Sequence, residues 1–259
     1  MAIPFGAALK DWRRRRGQSQ LDLALVAGIS SRHLAFLETG RSQPTRAMAL
    51  RLGEALDMPL PERNALLEAA GFAAAYRARN LDEKDMACVR DAIRWTLERH
   101  SPFPALALDR HWRLIDLNPP AAFLLSGVGI TRGDSLLSAF LSSQALRAAI
   151  ENWEEVGRHL AARLLTESRH AGGDPILDAA ARELMTAEGP QGQRDDSLPA
   201  MVTTRFRAGP SILSFFSTLA QFGSADDIAL ADLRIELMFP ADEATRQMLL
   251  ALSAAQGQP

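Results

Sequence analysis

The stretch Gln18 to Pro44, QSQLDLALVAGISSRHLAFLETGRSQP, decides what kind of domain the chain opens with. Across Gln20 to Val26, Leu21, Ala24 and Leu25 recur at helical spacing and predict an inward face. Gly28 supplies a turn position that tolerates positive φ, and Ile29 follows as an inward residue. Ser30 stands where its hydroxyl can accept a hydrogen bond from an orphan backbone N–H and so cap a second helix, Ser31 to Thr39. That helix turns Leu34 and Leu37 inward, leaves Ser31, Arg32, His33 and Phe36 outward, and ends at Gly40. A helix, a glycine turn, a helix with a polar outer face and an exposed loop Arg41-Ser42-Gln43 are the parts of a DNA-binding helix-turn-helix.

Helical signals continue on both sides. Phe5, Leu9 and Trp12 form an inward stripe on a first helix, Phe5 to Arg16, whose basic run Arg13 to Arg16 suits the negative end of its dipole. Arg14 and Arg15 read equally well as a solvated charged face. Pro44-Thr45 starts a fourth helix carrying Met48, Leu50, Leu52 and Leu56; Pro59-Leu60-Pro61 breaks it, and Pro61 to Ala70 gives a fifth that ends at Gly71. Residues 1–72 therefore read as an all-α five-helix domain.

Charge is divided along the chain. Through Arg79, 12 Lys+Arg stand against 7 Asp+Glu, a net of +5; the remainder holds 17 and 24, a net of −7. A basic head on an acidic body gives a polyanion partner to the head alone. An apolar share of 47% and a charged share of 23% are ordinary for a globular protein. The start of the chain lacks a signal-peptide core, and no run approaches the roughly 20 apolar residues of a membrane span, so a cytoplasmic protein without membrane partners is expected. The single cysteine, Cys88, excludes an intrachain disulfide and a multi-cysteine zinc cage.

Gln20, Leu23-Ala24, Gly28, Leu34, Leu37-Glu38, Gly40 and Pro44 resemble the XRE family of phage-repressor-like helix-turn-helix proteins. The resemblance implies that the second helix of the pair enters the major groove. Gln20 would then contact a phosphate or an outer base, Ser31, Arg32, His33 and Phe36 would face the groove, and Arg41, Ser42 and Gln43 would follow the backbone. It also implies a buried pair, Arg13 with Glu38, tying the first helix to the recognition helix. Arg32 has the fork that bonds guanine at two acceptors. Phe36 departs from the polar residue usual there and has two outlets, a thymine methyl or the edge of the core. A helix-turn-helix that docks a protein instead of DNA stays open on these residues.

Residues 73–100 read as a connector, alanine-rich and then charged, with Val89, Ile93, Trp95 and Leu97 at mainly helical spacing from Met86 to His100, a helix with two places to go: against the second domain, or across to a second protomer. Strands follow at Pro104 to Asp109 and at Trp112 to Asn118, the latter with Trp112, Leu114 and Asp116 on one side. The middle, Ser135 to Glu188, is helical in pattern, and Glu188 to Pro199 is a polar loop. Met201 to Phe206, Ser211 to Phe222 and Leu233 to Phe239 read as three more strands. In the last, Leu233, Ile235, Leu237 and Phe239 face one side and Arg234, Glu236 and Met238 the other. Strands, then helices, then strands predict one antiparallel sheet with helices covering one face, an α+β domain over 101–253.

PFPALALDRHWRLIDLNPPAAFLL, ENWEEVGRHLAARLL and FFSTLAQFGSADDIALADLRIELMFPADEAT resemble the ligand-binding domain of MmyB-like transcription regulators across about residues 85 to 250. That resemblance implies a PAS-like fold. One member of the family holds a fatty acid in an apolar cavity, so it also implies a small apolar effector, a fatty acid or similar, with no cofactor required. Trp112, Leu114, Phe123, Trp153, Leu160, Phe215 and Leu237 are the candidates to line such a cavity, and Phe216 can be added; for each, plain core packing is the competing reading. A carboxylate head would need a cation, for which Arg113, Arg205 and Arg207 are candidates. Both resemblances together imply a bacterial-type regulator that binds an operator on double-stranded DNA as a homodimer.

Catalysis is not expected. His100, His111, His159 and His170 lie far apart, and no HExxH, GxSxG, CxxC or phosphate-binding glycine loop occurs. Gly127, Gly129 and Gly133 miss the dinucleotide spacing, and Asp226-Asp227 reads as a loop and helix cap.

Overall fold

In α1 (Phe5–Arg15), Phe5, Leu9 and Trp12 are all buried, as their spacing predicts. The computed structural model describes residues 3–187, 201–222 and 226–256, and contact density divides them into two units. The first runs to Arg79 and the second starts at Asn80; 169–173 and a one-turn helix near 228 are grouped with the first. In the first unit α1 is followed by α2 (Gln20–Val26), α3 (Ser31–Glu38), α4 (Arg46–Ala55) and α5 (Leu60–Ala69).

Three of the short helices start on a side-chain cap. Ser19 and Asp22 form a reciprocal capping box on α2, the Ser30 hydroxyl accepts from His33 N at 3.2 Å, and Thr45 accepts from Met48 N at 3.2 Å. Gly28 and Gly40 close α2 and α3 with φ of 64° and 72°, the left-handed conformation that glycine takes without strain. Leu9, Leu23, Leu34, Leu37, Leu52 and Leu67 meet in one core.

One expected face differs. Leu21 and Leu25 of α2 are 68% and 80% exposed, while Leu23 and Ala24 are buried. Apolar residues fill five of the seven α2 positions, so spacing offers two competing stripes, and packing on α3 and α4 selects the one through Leu23.

The second unit begins with a single 3-10 turn, Lys84–Met86, and α6 (Ala87–Arg99). Then come β1 (Ala105–Leu108), β2 (Leu114–Leu117), α7 (Pro119–Ser126), α8 (Leu136–Ser142), α9 (Gln144–Ala149), α10 (Trp153–His170) and α11 (Pro175–Ala187). β3 (Thr204–Ala208), β4 (Ser211–Gln221), β5 (Arg234–Pro240) and α13 (Glu243–Gln256) complete this unit, and the chain between β4 and β5 carries α12 (Ile228–Ala231), the short helix grouped with the first unit. Among the described residues the strands form one antiparallel sheet in the order β2-β1-β5-β4-β3. First and last strands meet within it, with Ala107 of β1 opposite Ile235 of β5, and β4 pairs on the other side of β5, with Thr218 opposite Leu237. The second unit is thus an α+β domain and the first an all-α one. Asp227 accepts from Ala229 N at 3.0 Å and caps α12, as its position predicts. The polar segment Glu188 to Pro199 lies outside the described residues.

Side chains alternate across the sheet. Leu106, Leu213, Phe215 and Met238 enter a core with α7 to α11, whereas Ala105, Ala107 and Ile235 turn to the opposite face. That face is covered too: Ile93 and Leu97 of α6 pack there, with Val89 beside them. Helices therefore lie on both faces, and of the two places open to the Met86–His100 helix, α6 takes the one against the second unit's sheet. Trp95, expected in the same stripe, is exposed. Trp112 precedes its strand instead of starting it: it sits in the turn at φ 63°, yet its ring is buried. Asn118 joins three elements. Its side-chain oxygen accepts from Ala105 N and Ala121 N, and its amide donates to Leu97 O and Phe103 O, so this buried group is fully hydrogen-bonded.

Candidate nucleic-acid interface and ligand cavity

Behind α3 lies a charged brace. Arg13 donates from Nε to Glu38 Oε1 at 2.6 Å and from NH2 to Oε2 at 3.0 Å, a two-point contact, and both residues are buried. Burial pushes the Glu38 carboxyl up, but the bonds from Arg13 and Gln20 outweigh it and hold the carboxyl below its ordinary range. The hydrogen bond to Glu38 likewise raises Arg13. Gln20 is the third member: its amide donates to Glu38 Oε2 at 2.7 Å. The side chain read as an outer phosphate or base contact is thus committed inward through its nitrogen. Gly6 allows α1 to lie this close, since a Cβ there would stand 2.4 Å from Leu37 O and 2.6 Å from Glu38 O.

The basic run divides by role. Arg13 joins the brace, and Arg16 donates to Leu56 O at 2.9 Å and Asp57 O at 2.5 Å, closing the end of α4. Arg15 pairs with Asp11 at 2.6 Å on the surface, and Arg14 is exposed.

On the outer side of α3, Ser31 and Arg32 are exposed, with His33 and Phe36 half-buried. Phe36 is half-buried, and its ring lies beneath the Arg32 guanidinium, 5.4 Å from carbon to centroid. The Phe36 carbonyl also accepts from Arg41 N at 2.9 Å and Ser42 N at 3.2 Å, which folds the loop back on the helix end. Arg41 and Gln43 project from it exposed and Ser42 is half-buried. The groove-facing candidates and the loop thus form one surface, held from behind by Glu38.

In the second unit the helices and sheet border a partly open cavity of about 350 Å³. This is within the range of small-molecule sites. α7 contributes Ala121, Leu124 and Leu125, α8 Leu136 and Phe140, and α10 Val156 and Leu160; Phe206 and Met238 close the sheet side. Of the candidates, Trp112 and Leu160 line it. Leu114 and Phe215 are buried in the same core without reaching it, Phe215 lying against Phe206 at 6.1 Å. Trp153 stacks on the outer side of Phe140 at 5.9 Å, and Phe123 is 57% exposed. Leu237 turns to the α6 face, as does Phe216, which stacks on Phe239 at 5.4 Å. Strand alternation had sorted β5 into two faces, and the cavity takes the one bearing Glu236 and Met238.

None of the three arginine candidates lines the cavity. Arg113 is exposed, and Arg205 and Arg207 border a separate polar groove in which Arg205 pairs with Glu151. The arginine at the cavity is Arg163, beside His159 and Glu236. Its Nε donates to Glu167 Oε1 at 3.0 Å and both terminal nitrogens donate to Glu236 Oε2 at 3.3 Å. The Trp112 ring lies 4.3 Å from its guanidinium carbon. Glu167 also accepts from Trp112 Nε1 at 3.0 Å and from Arg234. Burial disfavours the Arg163 charge, but Glu236 and Glu167 outweigh this and raise its pKa. Burial, with Arg163 nearby, lowers His159. The signal that reveals this cluster is the i, i+4 series His159, Arg163, Glu167 along α10, next to the apolar stripe Val156, Leu160, Leu164. His100 and His111 have other duties, on Met238 O at 2.8 Å and on Asp174 at 3.0 Å.

The cavity and its covering helices fall inside residues 89–252, and these match the family model of the MmyB-like transcription regulator ligand binding domain. The chain belongs to this family. Residues 4–66 match a helix-turn-helix domain, from the start of α1 into α5. A DNA-binding transcription regulator with an MmyB-like ligand-sensing domain is what the two matches describe. No curated protein matches the chain. In the MmyB-like domain α6 lies almost wholly within the match, in keeping with its place in the core. No helix among the described residues is long and apolar enough to cross a membrane.

Proposed function

We propose that this MmyB-like regulator reads an operator through α3, in the manner of the XRE family it resembles. In this reading Arg32 bonds a guanine edge, with Ser31, His33 and Phe36 beside it, while Arg41, Ser42 and Gln43 follow phosphates. Gln20 contributes its backbone at the start of α2, its amide being held by Glu38. Two chains, as a homodimer in the cytoplasm, read half-sites about one helical turn apart. The PAS-like second domain holds a small apolar molecule with a fatty-acid-like chain, needs no cofactor and performs no catalysis. The cavity against α10 carries the sensing half of this reading, because a core without a ligand would fill that volume with side chains.

A ligand shifts the regulator only if it binds one arrangement of the chain better than another. Residues 73–79, which carry no helix and lie just before the division between the units, are the segment through which such a bias passes. Native mass spectrometry of the gently purified chain, with mobility shifts on genomic fragments, tests both halves. A retained apolar mass whose removal changes the shift supports the reading; an unaltered shift with and without it refutes the sensor.

A second reading is a scaffold whose helix-turn-helix docks a protein. Exposed Leu21, Leu25 and Val26 on α2 favour it, since such a patch suits a protein surface better than phosphates. Absence of any sequence-specific shift at physiological salt would choose this reading.

A further inference from the structure

We propose that the cavity of the second domain selects an amphiphile whose polar end is an uncharged hydroxyl, in preference to one that ends in a carboxylate. This rests on the reading of that cavity as the sensor site, and concerns the head of the ligand, not its chain.

The argument starts from charge. The polar wall is made by Arg163 and Glu236, which are bonded to each other, and Arg163 is bonded to Glu167, which also takes Arg234. Two guanidinium groups therefore meet two carboxylates, and the cluster is neutral before any ligand enters. A carboxylate arriving here would sit beside Glu236 and leave one negative charge unmatched among apolar walls. Such a charge is expensive away from water unless it is paired. Among the described residues lining the cavity, Arg163 is the one arginine, and no lysine lines it. His159 brings no second cation near neutral pH, since burial and Arg163 both favour its uncharged form.

A hydroxyl meets the same wall without a charge penalty. Both guanidinium bonds fall on Glu236 Oε2, which leaves Oε1 to accept the hydroxyl proton. The hydroxyl oxygen can accept in turn from a remaining Arg163 N–H or from His159. Thr204 and Ser217, both at the cavity, add neutral partners of the same kind.

The test compares two ligands with the same chain, lauryl alcohol and laurate, in calorimetric titrations with the whole protein near neutral pH, below the solubility limit of the alcohol and the micelle concentration of laurate. The alcohol should bind at least about tenfold more tightly. Glu236→Gln keeps the shape and leaves the cluster with one positive charge, so laurate should gain about tenfold there and the preference should narrow or invert. Tighter laurate binding to the unaltered chain overturns the inference. So does an unchanged laurate affinity in a folded Glu236→Gln protein; if that variant does not fold, the comparison on the unaltered chain decides alone. If neither ligand binds, the sensor reading of the cavity falls and this inference with it.

Discussion

Arg13 and Glu38, one on the first helix and one at the end of the recognition helix, are locked by two parallel hydrogen bonds of 2.6 and 3.0 Å in a buried setting. Removing one member would leave the other charge buried and unmatched. Arg13→Ala should therefore cost about 3–5 kcal/mol of stability in denaturant unfolding followed by fluorescence. Arg13→Lys should recover only part of the loss, because an ammonium cannot reproduce the two-point contact. An unchanged midpoint for Arg13→Ala would mean that the pair contributes nothing to stability.

The same pair makes stability depend on pH. The Glu38 carboxyl is held below its ordinary value of 4.5, so the unfolded chain binds its proton more readily than the folded one does. Its contribution is complete above that ordinary value and is lost as pH falls through the lowered folded value. In Glu38→Gln this part of the acid-side slope should vanish in melting curves taken between neutral and acidic pH. A slope identical to that of the unaltered chain would exclude Glu38 as its source.

Gly6 controls how closely the first helix approaches the third. A methyl group there would fall inside the contact distance of two carbonyl oxygens of the backbone, which cannot swing aside as a side chain can. Gly6→Ala should destabilise by about 1–3 kcal/mol despite the better helix propensity of alanine. A melting temperature equal to or above that of the unaltered chain would contradict the close approach.

Arg32 and Phe36 should act together on DNA. Arg32→Ala should lose about 1–3 kcal/mol at one base position and relax specificity there. Phe36→Ala should weaken the same position, with a coupling of about 0.5–1 kcal/mol in a double-mutant cycle, because the ring holds the guanidinium in place. Additive losses would show that the ring does not position Arg32.

Arg41→Ala should weaken all sequences similarly and reduce the salt slope by about 1. A slope that does not change would remove Arg41 from the phosphate contacts.

Leu160 lies on the cavity wall. Leu160→Trp should fill the space and abolish retention of an apolar molecule in native mass spectra, while operator binding without ligand persists. Ligand retained at the original level would place it elsewhere.

Much of the first domain is legible in its own residues. Ser19, Ser30 and Thr45 cap helices within three residues of themselves, and Gly28 and Gly40 mark the turns, so one short window contains the cause of each boundary. Alternation in Leu233 to Phe239 likewise separates two faces of β5. The inward face of α2 was not legible, because both of its stripes are apolar. For the cavity, Trp112 and Leu160 could be named from sequence; Arg163 is marked there only by its i, i+4 series along α10, and its pairing with Glu236 is not legible at all. They lie 73 residues apart and meet only when α10 is laid on β5.

The sequence by itself determined the helix-turn-helix, the strands and the division into a basic head and an acidic body, since periodicity, capping and charge act over a few residues. Tertiary structure decided which apolar face is covered, that Gln20 turns toward Glu38, that Phe36 lies under Arg32, and that a neutral charge cluster lines the cavity. Burial and ion pairing are properties of neighbours in space, and the α10 helix acquires those neighbours only when the sheet closes beneath it.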